Sequence, residues 1–208
     1  MITELLIERT TISIKTAYNI NMGIDDLFVA NVIDSARESV LNERNKVNKS
    51  VPSQLLQYAW LYYDASIQPY GNDGSVTVYQ LPRLAQVGAG LTAPVTVMKT
   101  KGVAYPLYTS LEMYETIRRH SFSKKEDCVV LVNNTFGDQL WLYGERRNTL
   151  RCQGVFASPM QLDTFNPVTD EYPATGDMYP MIEQQIMQLY MRSLQAQAPK
   201  FVKETGVK

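Results

Sequence analysis

The side chains with the most chemical potential in this chain are one histidine, two cysteines and a few paired carboxylates. His120, Cys128 and Cys152 fit none of the usual zinc spacings, and three such residues are too few for a closed site. A Cys–His nucleophilic pair needs a thiolate in an electropositive, accessible setting. Cys128 instead opens an apolar run and Cys152 lies inside another, so both read as reduced core residues. Asp25-Asp26 falls where a helix begins, and Asp170-Glu171 falls in a loop. Neither pair has the apolar surroundings that would drive two carboxylate pKa values apart for acid–base work. Gly88-Ala-Gly90 supplies two glycines of a dinucleotide-binding turn without the strand before it or the helix after it, and reads as a link. GxSxG, HExxH and Walker sequences are absent. The expectation is a protein that is not an enzyme and uses no cofactor or metal, so that function lies in shape and surface.

Surface chemistry then turns on the aromatics and the charges. There are thirteen tyrosines. Those at strand positions read as core, whereas Tyr70, Tyr105, Tyr108, Tyr172 and Tyr179 fall in connecting segments and suggest interface use. Arg118-Arg119, Lys124-Lys125 and Arg146-Arg147 read as solvated turns and helix ends. The net charge of −1 lacks the basic field of a sequence-reading nucleic-acid binder. With 45% hydrophobic and 20% charged residues in 208, the chain can bury a good core and is not a disordered sequence. No apolar run approaches the ~20 residues that span a bilayer. The first residues lack the basic start and apolar run of a secretory signal, so the expected site of synthesis is a cytosol.

The elements that must position these residues are legible in order. Ile2 to about Tyr18 predicts a helix, and Asn19 to Ile24 a turn. Asp25 is a good N-cap for a helix reaching about Val47, with Val29, Val32, Ile33, Ala36 and Val40 on one face. Asp34, Arg37, Glu38, Glu43 and Arg44 fill the remainder as a polar side. Ser53 predicts a short helical turn, followed by a β-rich stretch over about 57–160. Within it Leu56–Tyr63, Val76–Leu81 and Val95–Met98 read as extended. Thr109-Ser-Leu-Glu112 has the form of a capping box for a helix ending near Arg119. Cys128–Asn133, Gln139–Tyr143 and Thr149–Phe156 then predict three strands of one antiparallel meander. Asp177 predicts the cap of a closing helix to about Gln197, with Met178, Ile182, Ile186 and Leu189 on one face. The fold class is α+β: a helical core from the N- and C-terminal helices with an antiparallel β-meander.

Read together, several of these pieces resemble the head-to-tail adaptor or ring proteins of short-tailed DNA phages. The likeness is closest to the ring proteins of crAss-like phages and more remote to the tail tubular A proteins. It is carried by DDLFVANVIDSARESVLNERNKVNKSVPSQLLQ at 25–57, VYQLPRL at 78–84, PLYTSLEMYETIRRHSF at 106–122, DQLWLYG at 138–144, LRCQGVFASP at 150–159 and TGDMYPMIEQQIMQLYMRSL at 175–194. The resemblance implies a single connector-type domain over 1–208. Its helical part would be about 1–56 and 177–198, its β-rich part about 57–160, and its extended tail 199–208. It also implies a virion structural protein forming a dodecameric ring with itself, bound to the portal and to other tail or ring proteins, with DNA passing through the channel. Two irregular segments carry anchors suited to neighbour contacts: Ile67 and Tyr70 in the loop Asp64–Ser75, and Phe201 and Val202 in the tail Pro199–Lys208. The competing readings are another soluble binding or tail-assembly module without catalysis and, further off, an enzyme of unrecognised type.

Overall fold

The computed structural model describes residues 1–18, 23–44, 51–63, 65, 76–86, 95–99, 103–119, 127–134 and 137–197. Ile67, Tyr70, Phe201 and Val202, together with Gly88–Gly90 and His120, lie outside the described residues.

Three helices form one layer: α1 (Thr3–Tyr18), α2 (Asp26–Arg44) and α4 (Tyr179–Gln197), with α3 (Leu111–Arg119) elsewhere. α2 begins where its cap requires, since Asp25 Oδ1 accepts the Leu27 N–H at 3.1 Å. The apolar stripe Val29, Ile33, Ala36 and Val40 is buried against Ile182 and Ile186 of α4, with Leu189 partly buried beside them and Leu6 and Ile14 of α1 closing the cluster. This is the pairing the periodicity predicts. Both stripes are too apolar to remain wet, and each covers the other. Asp177 stands two residues ahead of α4, in the turn that Met178 N closes on Thr175 O at 2.8 Å.

Seven strands follow: β1 (Gln57–Tyr62), β2 (Val76–Gln80), β3 (Thr96–Met98), β4 (Leu107–Tyr108), β5 (Cys128–Asn134), β6 (Gly137–Tyr143) and β7 (Thr149–Gly154). They form two sheets, ordered β1–β7–β3 and β2–β6–β5–β4. All pairings are antiparallel except β4 with β5. The inward rows of both sheets share one core of Ala59, Leu61, Tyr79, Val97, Val129, Leu131, Leu140, Leu142, Leu150 and Cys152. A helical layer plus a β-sandwich makes the protein α+β, as the sequence predicts.

The meander needs correction. β5 and β6 do form a hairpin, but β7 does not pair with β6. After β6, Gly144 takes φ 142°, where a Cβ would run into the Asp127 carboxylate. The link from Gly144 to Asn148 then carries the chain to the other sheet, where β7 becomes the central strand. Asn148 O accepts the Tyr63 N–H at 2.9 Å, fastening that corner to the end of β1. Cys128 and Cys152 therefore sit on different sheets rather than on neighbouring strands, buried and free. Burial pushes their thiols up to about 11 and about 12, far from the thiolate a nucleophile needs. The cap of α3 is Ser110, whose Oγ accepts the Met113 N–H at 3.2 Å, so the capping residue is one position later than Thr109.

Candidate interaction surface

β1 alternates strictly between buried and exposed residues. Gln57, Ala59 and Leu61 point inward, so Tyr58, Trp60 and Tyr62 point out of the sandwich, 38%, 44% and 60% exposed. Register places Arg151 of β7 directly across from Trp60, with Gln153 opposite Tyr58 and Thr149 opposite Tyr62. The Arg151 guanidinium lies 3.9 Å from the Tyr58 ring centroid and 6.0 Å from that of Trp60. Arg146, in the link after β6, stacks 3.8 Å over the Tyr63 ring. Stacking of this kind holds planar cations over aromatic faces and leaves their N–H edges open to a further partner. Neither arginine forms an ion pair among the described residues, whereas Arg9, Arg83 and Arg119 each have a glutamate.

The segment after β7 frames this face. Tyr62 Oη donates to Asp163 Oδ2 at 3.0 Å, and that bond, more than any burial, raises its phenol above the ordinary value. The Thr164 hydroxyl donates to Tyr58 O. Alongside runs an open groove of about 580 Å³ lined by Trp60, Tyr62, Tyr63, Gln80, Leu81 and Pro82. It is too open to enclose a small molecule, which is normally buried on most sides, and suits a protruding protein side chain.

The same segment is tied to the helical layer by a buried polar cluster. Arg37 of α2 has no exposed surface. Its Nε donates to Pro173 O at 2.7 Å and its Nη1 to Phe156 O at 2.8 Å, which clasps both ends of the 156–173 segment. Tyr172 Oη donates to Asp34 Oδ1 at 2.8 Å, and Arg37 sits 5.9 Å from the Tyr172 ring centroid. Burial raises the Asp34 carboxyl to about 6 against the opposing pull of Tyr172 and Arg37. Asp34 and Arg37 are thus not part of the polar side of α2, where their charge alone places them. They share a row with Ala30 and Leu41 at the same three- and four-residue steps as Val29, Ile33, Ala36 and Val40, and buried Leu41 is the sequence signal that this row also faces inward.

The loop tyrosines correct the sequence reading at two positions, and Tyr70 lies outside the described residues. Tyr105 and Tyr172 are buried, and Tyr108 and Tyr179 half-buried. The open tyrosines and tryptophan are those of β1, and Phe28 of α2 is exposed to a similar degree. A signal for this was present in Leu150-Arg151-Cys152: a charge at mid-strand turns that face of β7, and of its neighbour β1, toward solvent. Among the described residues, no group of three or more His, Cys, Asp or Glu side chains could hold a metal ion. No helix among them is long and apolar enough to cross a membrane.

No protein-family model matches this chain, and no curated protein matches it.

Proposed function

We propose that this chain is a virion structural protein: one subunit of a dodecameric head-to-tail adaptor ring that joins portal to tail and lines the DNA exit channel. The observation that carries the reading is the aromatic–arginine face of the β1–β7–β3 sheet. Tyr, Trp and Arg are the residues that dominate interface energetics, and here three rings and the Arg151 guanidinium stand open on a sheet, with Arg146 exposed in the link that leads to it. A ring subunit needs such a face on a body that does not deform, and the buried Arg37 clasp fastens helices and sandwich together. The order of a helical layer, a β-rich middle and a closing helix agrees with the resemblance in sequence.

The test is co-expression with the portal protein from the same genome, followed by native mass measurement and imaging of the complex. The expected result is a ring of this chain stacked on the portal. A chain that ignores the portal and is absent from purified particles overturns the proposal. The same face also supports a second reading, a non-catalytic binding module. That reading predicts a monomer that captures one soluble partner and forms no ring.

A further inference from the structure

We propose that the aromatic–arginine face of one copy seats the outward stripe of α1 of a second copy, with Glu8 meeting Arg151. This contact rests on the reading of the chain as a ring subunit and names which surfaces meet. α1 buries Leu6, Thr10 and Ile14 and turns Leu5, Glu8 and Ile12 outward, together with Glu4. Leu5 and Ile12 are 53% and 57% exposed. They lie seven residues apart, hence on one side of the helix, separated by about 10 Å at 1.5 Å per residue. Glu8 stands between them.

The sheet face has the complementary layout. Tyr58 and Tyr62 are about 13 Å apart along β1 at ~3.3 Å per residue. Trp60 is midway, with Arg151 across from it. Each strip sets one charge among apolar side chains, Glu8 beside Leu5 and Ile12 and the Arg151 guanidinium over Tyr58 on its Trp60 side, with opposite signs and similar length. Glu4 and Glu8 have no ion-pair partner among the described residues, and neither do Arg146 and Arg151. The other charges beside the two strips are mostly engaged: Arg9 pairs with Glu183 at 3.0 Å, and Asp163 accepts from Tyr62. Lys15 lies beyond Ile12, at the far end of α1.

Both strips are open in the same molecule, so they do not satisfy each other within one chain. Two copies can satisfy them in turn, the sheet face of the first on α1 of the second. A contact between two different patches repeats from copy to copy and closes a ring when the rotation closes. The aromatic rings would cover Leu5 and Ile12, while a desolvated Arg151–Glu8 pair fixes the register.

The test is a charge exchange in the full chain, read by sedimentation over a wide concentration range. The native chain should associate. Arg151→Glu and Glu8→Arg should each raise the concentration at half-association by about tenfold or more, and the double variant should recover most of that loss, the signature of a direct pair. Both residues are exposed, so the thermal unfolding of dilute single variants should match the native chain and exclude misfolding as the cause. Association that neither single variant weakens, or that the double variant fails to restore, overturns this contact and leaves the ring reading standing. A native chain that stays monomeric at every concentration also overturns it, while a ring templated by the portal survives. Fluorescence anisotropy with a labelled oligothymidylate is the remaining arm. Binding there that Arg151→Glu abolishes, without self-association, gives the face to single-stranded nucleic acid and overturns the contact.

Discussion

On the outer face of the β2–β6–β5–β4 sheet, Val78, Val130 and Trp141 lie under α3, with Tyr108, Leu111, Tyr114 and Tyr143 completing the cover. On the outer face of the β1–β7–β3 sheet, Tyr58, Trp60 and Tyr62 lie in the open. The covered row runs across three strands in register, Val78 and Val130 on either side of Trp141, and the open row runs along β1 at alternate positions. The difference is what crosses above them. α3 follows β4 directly and has nowhere else to bury its apolar side, whereas the segment after β7 skirts the rim of its sheet and turns inward at Tyr172. Large side chains on an outer sheet face therefore do not decide their own burial, and connectivity decides whether the chain covers them or leaves them open.

The two tryptophans give the largest test of this contrast. Trp141 is buried and its indole N–H donates to Gln139 Oε1 at 3.3 Å. Trp141→Ala should cost about 3–5 kcal/mol in urea unfolding, the usual range for a large aromatic truncated in a core. Trp60→Ala should cost no more than about 1 kcal/mol in the isolated chain, the worth of an exposed cation–π contact. Equal losses at the two positions would mean that the open face is already covered in the monomer.

pH separates the two faces next. Asp34 lies under the 156–173 segment that frames the open face, and its carboxyl is raised to about 6 from an ordinary 3.8. The folded state therefore holds this proton more tightly than the unfolded chain does. The stability the group contributes is fully present below pH ~3.8 and is lost as pH rises through ~6. The shift corresponds to at most about 3 kcal/mol at 1.36 kcal/mol per unit. Comparing native chain with Asp34→Asn at pH 7.5 and pH 5 isolates this contribution from the other carboxylates. The native chain should gain stability relative to the variant on going to pH 5, and hydrogen exchange should slow around Tyr172 but not in α3. A difference that is flat with pH would show that Asp34 titrates like a surface carboxylate.

Much of this architecture is legible in the residues, and its gaps have physical causes. The cap at Asp25 and the stripe Val29, Ile33, Ala36, Val40 specify α2, because local hydrogen bonding and period act together there. Burial of Asp34 and Arg37 is hidden, because a charge is usually solvated and these two become tolerable only through Tyr172, Phe156 and Pro173, all more than a hundred residues away. The strands are legible as strands. Their sheets are not, since Glu145–Asn148 reads equally as a hairpin loop or a crossover until the chain is seen leaving Gly144. The open face falls in the same class. Alternation in β1 shows two sides, and only the pairing with Arg151 shows which side is wet. The anchors Ile67, Tyr70, Phe201 and Val202 lie outside the described residues, and the open face is built from others.

A smaller effect sharpens the covered side. Tyr114 of α3 packs with its ring centroid 4.1 Å from that of Tyr143 and 5.8 Å from that of Tyr108. Tyr114→Ala should cost about 1–2 kcal/mol, since aromatic pairs add about 0.5–1.5 kcal/mol to the area they bury. Its distinctive mark is faster hydrogen exchange in α3 with the β5–β6 hairpin unchanged. If exchange in that hairpin rises equally, α3 is part of the folding unit of the sheet instead of a cover laid on it.

The smallest effect is optical and bears on both faces at once. The chain has two tryptophans, so each can be isolated by changing the other to phenylalanine. In Trp141→Phe the remaining Trp60 should be quenched readily by acrylamide in dilute solution, because nearly half of its surface is open. In Trp60→Phe the remaining Trp141 should be protected at every concentration. The informative variable is protein concentration. If a second copy seats Leu5 and Ile12 on the open face, quenching of Trp60 should fall as the chain associates and return when Arg151→Glu is added. Trp141 is the internal control, since its cover comes from its own chain and does not depend on neighbours. Trp60 that stays fully quenchable in an associated sample would place the contact elsewhere on the molecule and leave the open face for a different partner.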